Sequence, residues 1–193
     1  VSDVQLRIKK LTEDDAPAFI TFMENVDFSP TPHWATCFCR FYYTDCSMAD
    51  WVKRSGARNQ VEAAREIQRG NMSGYLAFDG LKCIAWLNAA DVTKLIRITK
   101  EVGPYVENEK TACTICFVVD PKYRRQGVAS AMLKQAIADF KMDGYQTMLA
   151  IPFDLKSDKQ KEYRGPVAMY KKLGYEELAV NEQVHILKLS LKE

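Results

Sequence analysis

Val118-Val119-Asp120-Pro121-Lys122-Tyr123-Arg124-Arg125-Gln126-Gly127-Val128-Ala129-Ser130-Ala131-Met132-Leu133 reads as the end of a strand, a basic turn and the start of a helix. A helix N-terminus leaves several backbone N–H groups without intrahelical partners and carries a partial positive charge. An anion bound there gains hydrogen bonds and dipole stabilisation together. Gly127 and Ala129 let a ligand approach the backbone, and Arg124 and Arg125 add guanidinium groups that form charge-assisted bonds with phosphate. The turn suits a diphosphate, and a small adenine nucleotide is its natural source. A basic turn of this kind also occurs as a plain solvated connection, so the surrounding pattern has to decide.

Upstream, Thr111 to Val119 is a run of β-branched, aromatic and cysteine residues, which predicts a strand ended by Asp120-Pro121. Downstream, Gly127 to Met142 predicts a helix stopped by Gly144, and Thr147 to Ile151 the next strand. Gly74 to Phe78, Asp79-Gly80 and Cys83 to Ala89 give a hairpin, because Asp-Gly accepts the positive φ that a tight turn needs. Near the N-terminus, Gln5 to Leu11 alternates as a strand does. Thr12 then caps a helix to about Asn25 whose apolar positions Ala16, Phe19, Ile20, Met23 and Val26 share one face. Ser47 caps a short helix through Val52, and Asn59 to Arg69 is a helix stopped by Gly70. Residues 27–46 fit neither period. At the C-terminal end, a helix from Val167 to Leu173 stops at Gly174, and strands follow at about 175–180 and 184–191. Strands interleaved with helices predict an α/β (α+β) fold.

The 193 residues, 47% of them hydrophobic, suffice for one core, so a single domain over 1–193 is expected. Twenty-seven Lys and Arg against 25 Asp and Glu leave a net charge of +2, which gives no broad footprint for nucleic acid or an anionic membrane. There is no apolar leader-like start and no apolar run of about 18 residues, which predicts a cytoplasmic protein with its six cysteines reduced. Neither a P-loop nor a Gly-x-Gly-x-x-Gly fingerprint occurs.

Arg124-x-x-Gly127-x-Ala129 resembles the Gln/Arg-x-x-Gly-x-Gly/Ala signature of the GNAT superfamily of acyl-CoA N-acyltransferases. Gly165-Pro166-Val167-Ala168-Met169-Tyr170-Lys171-Lys172-Leu173-Gly174-Tyr175 is similar to a second motif of that superfamily. In that motif a Tyr ends a short helix and a Gly-aromatic pair opens the next strand. The resemblance covers about residues 3–191 and is weakest from 27 to 70. It implies a mixed, largely antiparallel central sheet flanked by helices, acetyl-CoA as co-substrate, no metal, and transfer of the acetyl group by direct attack of a primary amine on a small molecule or protein. Phe117, Val118 and Val119 would present backbone groups to the pantetheine arm. Arg124, Arg125, Gln126, Gly127, Val128, Ala129 and Ser130 would hold the diphosphate, in a cleft between splayed strands at 111–119 and 147–151. The implied partners are acetyl-CoA and an amine acceptor, with a homodimer left open and neither nucleic acid nor membrane among them.

Amine acetylation needs an uncharged nitrogen, a donor for the tetrahedral oxyanion and a proton for the departing thiolate. By the resemblance, Tyr170 is the proton donor and a backbone N–H at Val119 or a neighbour serves the oxyanion. Histone-type members place a Glu four residues before the pantetheine-binding triplet; here that position is Cys113. Asp154, Glu162 and His33 are alternative bases, and the sequence does not choose among them. Cys37-x-Cys39 has a poor spacing for zinc, and Cys113-x-x-Cys116 sends its thiols to opposite faces of a strand, so both pairs read as core. Trp34, Phe38, Phe41, Tyr42 and Tyr43 either shape an acceptor pocket or seal an apolar edge. The competing function is a non-catalytic acyl-CoA-binding sensor or assembly module.

Overall fold

The computed structural model describes residues 5–107, 109–154 and 159–192. Its strands are β1 (Leu6–Lys10), β2 (Gly74–Asp79), β3 (Lys82–Asp91), β4 (Thr111–Val119), β5 (Thr147–Ala150), β6 (Glu176–Asn181) and β7 (Val184–Ser190). They form one sheet in the order β1-β2-β3-β4-β5-β7-β6. Every ladder is antiparallel except the β4–β5 pair, which is parallel. The helices are α1 (Ala16–Asn25), α2 (Met48–Val52), α3 (Gly56–Gln68), α4 (Thr99–Val102), α5 (Val128–Met142) and α6 (Val167–Lys171).

Helices α5 and α6 cover one face of the sheet, where Met132, Leu133, Ala136 and Met169 pack on Tyr75, Ala85 and Leu87. Helices α1 and α3 cover the other, where Phe19, Met23, Ala63 and Ile67 pack on Leu76 and Trp86. Trp86 is fully buried and meets Phe19 edge-on at 4.8 Å. Thr12 caps a 3₁₀ turn at Glu13–Asp15 and not the helix itself, which starts at Ala16 with Asp15 as its N-cap; the Asp15 carboxylate accepts from the Thr12 backbone N–H at 2.7 Å and from Lys9 Nζ at 2.6 Å. Helix α3 begins at Gly56, three residues before the expected Asn59, because the Ser55 side chain accepts from the Arg58 N–H. The hairpin runs longer than expected, from Gly74 to Asp91, and turns at Gly80 with φ +56°. Residues 92–106 carry 3₁₀ turns and α4, and their apolar side chains Leu95, Ile98 and Val102 close the core beside β4 and β5.

Two local features of the sheet shape what lies above it. Asn88 pairs with Cys116 and Ala89 with Thr114, so Ile115 is an extra residue, a bulge in β4. The β4–β5 ladder ends at the Thr114–Ala150 pair, while β4 runs on to Val119. Past the bulge, β4 has a free edge toward β5.

At Gly74 the chain approaches β3 so closely that an added Cβ would lie 2.2 Å from the Leu87 carbonyl oxygen and 2.4 Å from the Trp86 ring. The obstacle is backbone and a locked indole, neither of which yields. Gly74→Ala is therefore expected to destabilise the fold by about 3 kcal/mol, the upper range for overpacking. Chemical denaturation reads this; a loss below about 1 kcal/mol would mean that the hairpin shifts freely at this point.

Candidate functional site: a groove at the start of the long helix and a second cavity behind it

Gly127 is the N-cap of α5, with φ +82° and no side-chain cap on the helix. Arg125 is also left-handed, at φ +60°. The turn is braced from below. The Asp120 carboxylate accepts from the Lys122 N–H at 3.0 Å and from Lys82 Nζ at 2.7 Å, and the Tyr123 hydroxyl donates to Asp79 at 3.0 Å. Opposing carboxylates on either side thus fix a loop whose amides open the helix. A groove of about 550 Å³ runs from this turn along β4, lined by Phe117, Val119, Arg124, Arg125, Gly127, Val128, Ala129 and Ser130. Its far wall comes from Trp34, Glu162, Tyr163 and the start of the α6 segment.

A second cavity, of about 210 Å³, lies on the opposite face of β4. Beyond the bulge the side chains alternate: Phe117 and Val119 line the groove, while Cys116 and Val118 line the cavity. The remaining wall is mainly aromatic, from Trp34, Phe41, Tyr42, Trp51 and Tyr163, with His33 at the margin. Trp34 and Tyr163 belong to both spaces and meet edge-on at 5.5 Å. A reactant lying along β4 and one held in the cavity therefore meet at this pair of rings.

The structure brings together nearly all of the residues expected at the turn. Gln126 stands apart from the groove lining, its Nε2 donating to the Lys122 carbonyl at 2.8 Å, and Val118 faces the cavity. Arg124 turns back, its Nε donating to the Val119 carbonyl at 3.1 Å. Cys116, read from the sequence as core, lines the cavity because the bulge shifts the alternation. Of the three alternative bases, His33 lines the cavity and Glu162 the groove, and Asp154 lines neither space.

Tyr170 is not placed at the groove. It is fully buried, lines neither space, donates from its hydroxyl to the Arg164 carbonyl at 2.7 Å, and lies 3.4 Å from Thr114 Oγ1. Helix α6 turns this side chain under the sheet, against Phe117 and Tyr175, and burial pushes the phenol above its ordinary pKa. Tyr170→Phe would leave the Arg164 carbonyl without its partner. A loss of about 1–2 kcal/mol of stability is expected in thermal or urea melts.

Tyr163, for which the sequence carries no motif, holds the position at the junction. Its hydroxyl lies 2.6 Å from that of Tyr42, and Arg164 Nη2 donates to Tyr42 at 3.1 Å. Arg164 itself is buried between the splayed strands, with Nη1 donating to the Ile151 carbonyl at 3.0 Å. Burial pushes the Tyr163 phenol up, while Arg164 and the Tyr42 hydrogen bond pull it back. Among the thiols, burial pushes Cys37 up to about 12. Cys39 is likewise raised well above its ordinary value, first by its hydrogen bond with Cys116 and then by burial. Both stay protonated at neutral pH and are poor nucleophiles. All six cysteines are free, and among the described residues no group of three or more His, Cys, Asp or Glu side chains is placed to hold a metal ion. Nor is any helix among them long and apolar enough to cross a membrane.

Residues 84–177 match the family described as the Acetyltransferase (GNAT) domain. PaiA N-acetyltransferase from Thermoplasma acidophilum, solved with coenzyme A, is 15% identical at a TM-score of 0.56, with 96% of this chain and 99% of that one covered. YncA from Salmonella typhimurium, solved with acetyl-CoA, is 14% identical at 0.56, covering 97% and 95%. The ribosomal-protein-S18-alanine N-acetyltransferase of Escherichia coli is 15% identical at 0.53, covering 98% and 96%. No curated protein matches the sequence at a significant level. A mixed, mostly antiparallel central sheet flanked by helices is the architecture that these solved structures share with the chain. The chain has the acetyltransferase fold of the GNAT superfamily.

Proposed function

We propose that the chain, as a single domain over 1–193, is an N-acetyltransferase that moves an acetyl group from acetyl-CoA to a primary amine. The observation that carries this reading is the meeting of two spaces at one opening in the sheet. A groove follows β4 from the start of α5, and a separate cavity lies on the other face of the same strand beyond the end of its ladder with β5. In such an arrangement the diphosphate sits on the amides of Val128, Ala129 and Ser130 beside Arg125. The pantetheine arm then replaces a missing strand along β4, and the thioester arrives at the ring pair. Relatives solved with coenzyme A or acetyl-CoA support that choice of ligand.

Transfer then proceeds directly. The amine nitrogen attacks the thioester carbonyl carbon, and the oxyanion takes a hydrogen bond from the β4 backbone near Val119. The C–S bond breaks, the CoA thiolate takes a proton, and the nitrogen loses one. Protonated Cys37 and Cys39 favour this route over an acyl-cysteine intermediate. The resemblance gives the proton donor as Tyr170, but the position at the junction favours Tyr163. Six free thiols suit a reducing compartment such as the cytoplasm.

Calorimetry with acetyl-CoA tests the reading, followed by thiol release in an amine screen. Saturable 1:1 binding with amine-dependent thiol release supports it. Binding without release for any amine would favour an acyl-CoA-binding module instead.

A further inference from the structure

The cavity behind β4 says more about the acceptor than the fold does. We infer that, if the chain transfers acetyl groups as proposed, its acceptor is a small primary amine on an apolar, ring-sized body, such as an aralkylamine, and that polyamines and other polycations are excluded.

Size gives the first argument. At about 210 Å³ the cavity falls below the ~300–1,000 Å³ typical of drug-sized ligands, which leaves room for one ring and a short arm. Its walls give the second. Phe41 stacks edge-on against Tyr42 and Trp51, at 5.1 Å in each case, and Trp34 and Tyr163 repeat the arrangement across the opening. Aromatic rings in such edge-on arrays accept a further ring with a gain beyond that of area alone. The wall is a built feature: consecutive residues Phe38 and Cys39 are held left-handed, at φ +45° and +52°, and Cys39 is anchored by the Trp86 Nε1–H at 3.0 Å. Backbone of that kind persists only where the surroundings over-determine it.

Charge gives the third argument. No Asp or Glu lines the cavity. Three guanidinium groups lie over its rings: Arg97 is 4.3 Å from the Phe41 centroid, Arg54 5.5 Å from that of Trp51, and Arg164 5.7 Å from that of Tyr42 and 5.8 Å from that of Tyr163. A polycation entering this space would give up its hydration, find no carboxylate on the wall and meet three guanidinium groups around it. A monoamine escapes that penalty by shedding its proton, since burial without a counter-charge favours the neutral form. The neutral amine is the nucleophile that the reaction needs. On this view the apolar cavity does the work of the carboxylate that Cys113 replaces.

The test begins without cofactor. The protein is titrated with 2-phenylethylamine and, separately, with spermidine, with binding followed by tryptophan fluorescence and calorimetry. 2-Phenylethylamine is expected to bind saturably and at least tenfold more tightly than spermidine, with the same order in kcat/KM once acetyl-CoA is added. Trp51→Ala, at the wall remote from the groove, should weaken 2-phenylethylamine about tenfold and leave acetyl-CoA affinity unchanged. Should Trp51→Ala lose its cooperative melt, Cys37→Phe, which fills the cavity, should give the same loss. Equal or better binding of spermidine, or a folded variant with undiminished 2-phenylethylamine binding, overturns the inference. Acetyl-CoA titration separates the two levels. A protein that binds acetyl-CoA but ignores ring-bearing amines loses only the acceptor assignment, and one that binds no acetyl-CoA loses the transferase reading itself.

Discussion

Gly127→Glu is expected to abolish measurable acetyl-CoA binding, weakening it about a thousandfold, while the protein stays folded. An added Cβ at Gly127 meets nothing within 4 Å, so the new side chain projects into open space at the mouth of the groove instead of into the core. Its carboxylate then stands where the diphosphate is proposed to sit. Two unit charges about 4 Å apart repel by about 4 kcal/mol at an effective dielectric of about 20, which is close to three powers of ten in affinity. Gly127→Ala separates charge from backbone strain. Both variants place a Cβ on a residue at φ +82°, a cost of about 1–2 kcal/mol in stability, but only the glutamate carries charge. Calorimetry should find acetyl-CoA bound by Gly127→Ala and not by Gly127→Glu. Loss of binding in both would assign the effect to the shape of the turn, and binding in both would move the diphosphate elsewhere.

That turn was the part of the site most legible in the sequence, because its geometry is local. A strand-ending Asp-Pro, two arginines and a glycine before an apolar helix determine the backbone with little help from the rest of the chain. The hairpin was legible for the same reason, through Asp79-Gly80. The bulge at Ile115 had no signal of its own, since the run from Thr111 to Val119 reads as an unbroken strand. Yet that one extra residue sends Cys116 and Val118 into one space and Phe117 into the other. Residues 27–46 were opaque because tertiary contacts fix their backbone: Phe38 and Cys39 are left-handed without being glycine, held by Trp86 from a strand 47 positions away. Tyr163 was hidden inside a polar stretch. Its importance comes from meeting Tyr42, 121 residues earlier, and Trp34, neither of which any periodicity connects to it. Tyr170 shows the converse: its motif is legible, but a helix of five residues can turn a side chain either way, and here the hydroxyl meets a carbonyl.

Tyr163→Phe is expected to lower kcat by 10²-fold or more, within the ~10²–10⁴ range of a positioned general acid, while acetyl-CoA affinity changes little. A guanidinium cannot accept, so Arg164 donates to the Tyr42 oxygen, and the Tyr42 and Tyr163 hydroxyls share a hydrogen bond of 2.6 Å in which either can donate. With Tyr42 as the donor in that pair, the Tyr163 proton is left for the space where the thiolate is proposed to form. Burial holds this phenol above its ordinary value, so it stays protonated through neutral and mildly alkaline pH. Activity that depends on the protonated form should therefore persist as pH rises and be lost only above the usual phenol range. Tyr170→Phe serves as the internal comparison: its hydroxyl already donates to the Arg164 carbonyl, so the variant should lose stability and keep most of its kcat. Single-turnover thiol release at saturating acetyl-CoA reads both. If Tyr170→Phe stops the reaction and Tyr163→Phe does not, the α6 phenol is the donor and must leave the Arg164 carbonyl when the cofactor binds. If neither affects the chemical step, the proton reaches the thiolate through water, and the ring pair serves only to bring the reactants together.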